Sequence, residues 1–127
     1  MPHLIVDYSA NLEAEIDMSA FCDHLRKAAV EIDAFPKAGV RVRALPAPHY
    51  SIADGNPQHG YIDISIRLRA GRPLDVKKAA TQAIFDAAEA FLAPVMARRP
   101  LALSLEMRDI DPDLSPKTGT IRDYLKD

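Results

Sequence analysis

The sequence predicts an α+β fold, a tandem β-α-β repeat forming a four-stranded mixed sheet with two helices on one face. Three observations lead there. Segments 61–69 and 101–110 alternate apolar and polar residues with the period of a strand. Segments 17–32 and 73–92 instead repeat apolar residues every three or four positions, as an amphipathic helix does. The order strand, helix, strand occurs twice, and a Pro- and Gly-containing stretch separates the two halves.

The first strand begins almost at once, in Leu4-Ile5-Val6-Asp7-Tyr8. The first helix buries Met18, Phe21, Cys22, Leu25, Ala28, Ala29 and Ile32, with Asp17 as its N-cap and Pro36 just past its end. Gly39 then opens an alternating strand, Val40-Arg41-Val42-Arg43-Ala44. Residues 46–60 read as a loop around the Asp54-Gly55 turn, with a short extended piece at 50–52. In the strand at 61–69, Ile62, Ile64, Ile66 and Leu68 face one way and Asp63, Ser65, Arg67 and Arg69 the other. Pro73 stands in the first turn of the second helix, which buries Val76, Ala80, Ala83, Ile84, Ala87, Phe91 and Leu92 until Pro94 kinks or ends it. In the last strand, 101–110, Leu101, Leu103, Leu105 and Met107 oppose Ser104, Glu106 and Arg108. The polar tail from Asp111 has Ile121 and Tyr124 as its docking points.

A helix crossing between two strands favours parallel pairing within each half. The chain reads as one domain, 1–127, of two pseudo-repeats, about 2–58 and 60–127. The sheet face away from the helices is polar and of mixed charge. It is either solvated or a subunit interface, since small domains with open faces and edges often close by oligomerising.

Composition narrows the function. With an apolar fraction of 48%, a charged fraction of 27% and a net charge of -2, the chain is an ordinary globular one with no bias toward nucleic acid or anionic lipid. No apolar run approaches the ~20 residues of a bilayer span, and no leader is evident, which points to the cytoplasm. The lone Cys22 reads as a small buried hydrophobe. His3, His24, His49 and His59 are too scattered for a metal site, and no glycine pattern forms a phosphate loop, so neither metal nor organic cofactor is expected.

Two features could carry chemistry. Removal of Met1 leaves Pro2 with a free secondary amine at the start of a rigid strand; if Met1 stays, that nitrogen is an amide and no base. Desolvation lowers an amine's pKa toward that of a general base at neutral pH. The second feature is Arg41, Arg43 and Arg72, whose forked donors suit carboxylates.

Pro2-His3-Leu4-Ile5-Val6, the run from Phe35 through Gly39 to Arg43, Ala53-Asp54-Gly55, Gly71-Arg72-Pro73-Leu74 and Ala102-Leu103-Ser104-Leu105-Glu106 lie in order along the chain. Together they resemble the 5-carboxymethyl-2-hydroxymuconate isomerase family of the tautomerase superfamily, which also includes 4-oxalocrotonate tautomerase and macrophage migration inhibitory factor. The resemblance implies a homotrimer with sites near subunit boundaries, which favours the interface reading of the polar face. It implies Pro2 as the catalytic base and Arg41 and Arg72, with Arg43 less directly matched, as substrate-binding residues. The implied reaction is cofactor-free conversion of a multiply carboxylated 2-hydroxy-dienoate to its 2-oxo-enoate in homoprotocatechuate breakdown. Loop 47–60 is expected near the site. Alternatives are tautomerisation of another 2-oxo acid such as phenylpyruvate, and a non-catalytic binding module on the same fold.

Overall fold

A computed structural model describes residues 1–126. Strand β1 (His3–Ser9) leads to helix α1 (Met18–Val30) and strand β2 (Arg41–Ala47). Strand β3 (Gly60–Arg69), helix α2 (Leu74–Met96) and strand β4 (Leu101–Ile110) repeat that order. The strands lie as β2-β1-β3-β4. Pairing is parallel in β1·β2 and in β3·β4, and antiparallel where β1 meets β3. This is the four-stranded mixed sheet with two helices that the sequence predicts.

Alternation sorts the side chains of the central strands. Leu4 and Val6 of β1, with Ile62, Ile64, Ile66 and Leu68 of β3, are fully buried beneath the helices. Phe21, Leu25 and Ala29 of α1 and Ala80, Ile84, Ala88 and Leu92 of α2 close the core above them. Phe21 and Phe91 join the helices, their ring centroids 5.1 Å apart. The Asp17 carboxylate accepts a hydrogen bond from the Ala20 backbone N–H and caps α1 as expected. Pro46 is tolerated within β2 because β2 is an edge strand.

Residues 48–59 form a loop as expected, organised by Asp54, whose carboxylate accepts from the Asn56 N–H and meets the His59 ring. Several expectations need correction. Pro73 is the extended N-cap residue of α2 and lies just outside the helix. Within α2 the buried stripe follows a four-residue step from Ala80 and ends on Val95, which leaves Ala83 exposed. Cys22 is half-buried rather than enclosed. In the tail, Tyr124 is 81% exposed and does not dock on this chain, whereas Ile121, 51% exposed, borders a cleft beside Met1.

The topology determines which segments meet. β1 starts beside the start of β2, with His3 opposite Arg41, and beside the end of β3, with His3 opposite Arg67. β4 also ends there, with Ile110 opposite Arg69. One end of the sheet therefore gathers the amino terminus, the turn before β2, the turn after β3 and the carboxy-terminal tail. The 47–60 loop joins the strands at the opposite end, since Ser9 pairs with Ala47 and Tyr8 with Ile62. Seven residues of strand span about 23 Å, so within one chain this loop lies far from the amino terminus, against expectation.

Candidate active site

The site is built around the first two residues. Pro2 is fully buried, and its carbonyl oxygen accepts a 3.1 Å hydrogen bond from the Arg41 N–H, which registers β2 against the start of β1. Gly39 makes this close approach feasible, because a Cβ there would stand 3.1 Å from both Met1 Cα and Pro2 Cδ. Met1 is present in the structure, so the free amine is its own and Pro2 N is in peptide linkage.

Two clefts, each of about 350 Å³, open on either side of Met1. The walls of the first include His3, Arg67, Arg69, Ile110 and Lys117. Those of the second include Gly39, Arg41, Lys117, Ile121 and Arg122. Met1 and Lys117 belong to both. Among the described residues, neither wall includes a carboxylate. Each cleft is cationic by composition, which suits an anion.

The electrostatics follow from that arrangement. Burial, then the charges of Lys117, Arg72, Arg41 and Arg69, hold the terminal amine below its ordinary value of 8.0. His3 is pushed down from 6.5 by burial first and then by Arg67, Arg41 and Arg43. Lowering the pKa raises the neutral fraction of the amine at a given pH, and the neutral form is the one that can accept a proton.

The arginines singled out from the sequence occupy three different situations. Arg41 lies on the wall of the second cleft, with Nη1 3.2 Å from Met1 Sδ. Arg72 donates from Nη1 to the Arg69 carbonyl and from Nη2 to the Ala34 carbonyl, both at 3.0 Å. It thus ties the turn after β3 to the turn after α1, and its charge reaches the amine from behind the cleft walls. Arg43 is one alternation step further along β2, exposed, with Nη1 3.5 Å from His3 Nδ1, and outside both cleft walls. The structure brings Arg41 and Arg72 to the amine and leaves Arg43 on the open sheet face.

Sequence reasoning missed Arg67, Arg69, Arg122 and Lys117. The first two could have been found by pairing β1 antiparallel to β3, which sets the end of β3 beside His3. Lys117 and Arg122 lie in the tail, where no periodicity announces a position in space.

A third cleft lies between α1 and β2, where the buried Tyr8 hydroxyl donates to Glu13 and Cys22 forms part of the wall. Burial raises the Cys22 thiol above its ordinary 9.0, so little thiolate exists there at neutral pH. No group of three or more His, Cys, Asp or Glu residues is arranged to hold a metal ion among the described residues.

The family described as 5-carboxymethyl-2-hydroxymuconate isomerase matches residues 2–125. The 5-carboxymethyl-2-hydroxymuconate Delta-isomerase of Escherichia coli is 29% identical over 126 residues, covering 99% of this chain and all of the relative. A crystal structure of a 5-carboxymethyl-2-hydroxymuconate delta-isomerase superposes with a TM-score of 0.91 at 33% identity, over 100% of this chain and 94% of the other. That of a 5-carboxymethyl-2-hydroxymuconate isomerase from Deinococcus radiodurans R1 gives 0.89 at 29%, over 98% and 95%. A match that runs through both β-α-β halves and both clefts makes this chain an isomerase, a member of the 5-carboxymethyl-2-hydroxymuconate isomerase family within the tautomerase superfamily.

Proposed function

We propose that this isomerase converts 5-carboxymethyl-2-hydroxymuconate to its 2-oxo-enoate isomer in homoprotocatechuate catabolism, with Pro2, freed by loss of Met1, as the base. The observation that carries this reading is the setting of the terminal amine. Met1 is partly buried with its Cα against Gly39, and burial first, then Lys117, Arg72, Arg41 and Arg69, lowers the pKa of its amine. A Pro2 amine one residue on would start among the same groups. Met1 is shared by the walls of both clefts, so its removal would open both toward Pro2.

The step balances without a cofactor. The neutral Pro2 nitrogen takes the proton of the 2-hydroxyl, and the O–H pair becomes the carbonyl π bond. The diene electrons shift along the conjugated chain, and the protonated Pro2 returns a proton to a carbon at its far end. Arg41, with Arg72 behind it, holds carboxylate and offsets the charge that develops on the dienolate; Arg43 is an outer contributor. Cationic walls on both sides favour a substrate with several carboxylates over a monocarboxylate enol.

A homotrimer fits the surface that this chain leaves uncovered. Leu45 on the open sheet face is 51% exposed, and the edge strands β2 and β4 have no outer partner among the described residues. Several polar groups of that face pair with one another, Ser104 with Asp63 at 2.8 Å, Tyr61 with Asp7 at 2.7 Å and Arg108 with Glu106 at 2.9 Å.

An ultraviolet assay of the dienoate with protein shown by mass to lack Met1 tests the reading. Pro2→Ala should lower kcat by about 10²–10⁴ with the fold retained, the usual worth of a positioned base. Equal turnover by Pro2→Ala, or faster turnover of phenylpyruvate enol than of the dienoate, overturns it.

A further inference from the structure

We propose that Lys117 is a substrate-binding residue that selects for dicarboxylates, its ammonium taking a carboxylate at the junction of the two clefts while the second carboxylate reaches a cationic wall beyond. The inference rests on the reading of Pro2 as the base, and it adds a residue and a selection rule to that site.

β4 runs parallel to β3 and ends at Ile110 beside Arg69, so the tail leaves the sheet at the end where β1 starts. Asp111 caps a short turn at Pro112–Leu114 by accepting the Asp113 N–H at 2.9 Å, and Pro116 follows before Lys117. The tail then runs to a second short turn at Ile121–Tyr124. Lys117 thereby stands on both cleft walls, a position it shares with Met1. Once Met1 is gone, Lys117 is the side chain that both clefts have in common.

The surroundings determine what an ammonium can do there. Arg67 and Arg69 lie on one side, Arg41 and Arg122 on the other, and no carboxylate of the walls competes for Lys117 among the described residues. A point charge with three donors on a flexible stem can follow a carboxylate that moves as the conjugated chain isomerises, which a doubly anchored arginine such as Arg72 cannot. The same charge is the foremost of the cations that hold the terminal amine down, ahead of Arg72, Arg41 and Arg69. The cleft junction at which Lys117 would meet a carboxylate is thus also the place where its charge is felt by the terminal amine.

Calorimetric binding of cis,cis-muconate, a conjugated dicarboxylate, tests the proposal independently of turnover, with crotonate as the monocarboxylate control. Lys117→Gln should weaken muconate about tenfold or more, the worth of one charged hydrogen bond, and move crotonate less than threefold. Lys117→Arg should restore most of the muconate affinity. Unchanged muconate binding in Lys117→Gln, or equal weakening of both ligands, overturns the proposal. If Pro2→Ala keeps full turnover while Lys117→Gln loses muconate, the base assignment fails and the binding role stands. If Pro2→Ala is inactive while Lys117→Gln binds muconate normally, only the role of Lys117 fails.

Discussion

Gly39 faces Pro2 so closely that a Cβ on Gly39 would stand 3.1 Å from the proline Cδ. The glycine is buried, and its neighbour is a fully buried ring, so any added methyl must push Pro2 by a few tenths of an ångström. Gly39→Ala should therefore lower kcat about tenfold while leaving the melting temperature nearly unchanged, because sub-ångström misplacement of a reacting group is costly. Steady-state kinetics beside a thermal melt checks this; a large loss of stability with normal kcat would contradict it.

Arg72 should prove to be a structural residue as well as a binding one. Its two hydrogen bonds go to the carbonyl oxygens of Arg69 and Ala34, which belong to turns far apart in sequence. Arg72→Ala should cost about 1–3 kcal/mol in urea unfolding in addition to raising KM. Arg72→Lys keeps the charge but loses the two-carbonyl bridge, so it should recover more of KM than of stability.

Gly60 opens β3 against a leucine. A Cβ there would lie 2.8 Å from Cδ2 of the fully buried Leu12. Overpacking of this kind costs roughly 1–3 kcal/mol, and Gly60→Ala should show it in denaturant melts with little change in kcat. Trimming Leu12 to alanine in the same chain should relieve the clash but leave a cavity.

The pH dependence has a definite sign. An amine whose folded pKa is lowered stays neutral, and so competent as a base, down to a pH below its ordinary 8.0. In protein that begins at Pro2, set among the same cations, the acid limb of kcat/KM should therefore lie below the pH at which that amine titrates in the unfolded chain. Molar salt should move it part of the way back up by screening Lys117, Arg72, Arg41 and Arg69, while burial, the largest cause, persists. Stability has the same origin. Between the folded pKa and 8.0 the unfolded chain binds more proton, so stability rises with pH across that window and levels off above it.

Much of the fold was legible because local patterns and burial agree. The alternation from Ile62 to Leu68 and the α1 stripe of Met18, Phe21, Leu25 and Ala29 reappear as core. Strand β4 has the bounds that its alternation predicts, Leu101–Ile110. Ala83 was misplaced because alanine is neutral to burial, so the stripe of α2 is fixed by packing on the sheet rather than by composition. The site was legible only in part. Arg41 follows from strand register, but the double anchoring of Arg72 joins turns whose proximity depends on the whole sheet. Lys117 depends on where β4 ends and how a non-periodic tail turns back, and neither is written in its neighbours.

The central claim is that the nitrogen of Pro2 is the base, and processing of Met1 tests it most directly. Two preparations of the same chain, one shown by intact mass to begin at Pro2 and one made to retain Met1, should be assayed on 5-carboxymethyl-2-hydroxymuconate under identical conditions. The account predicts turnover in the first and a loss of about 10² or more in the second, where the nitrogen is an amide. Equal turnover by both would contradict it.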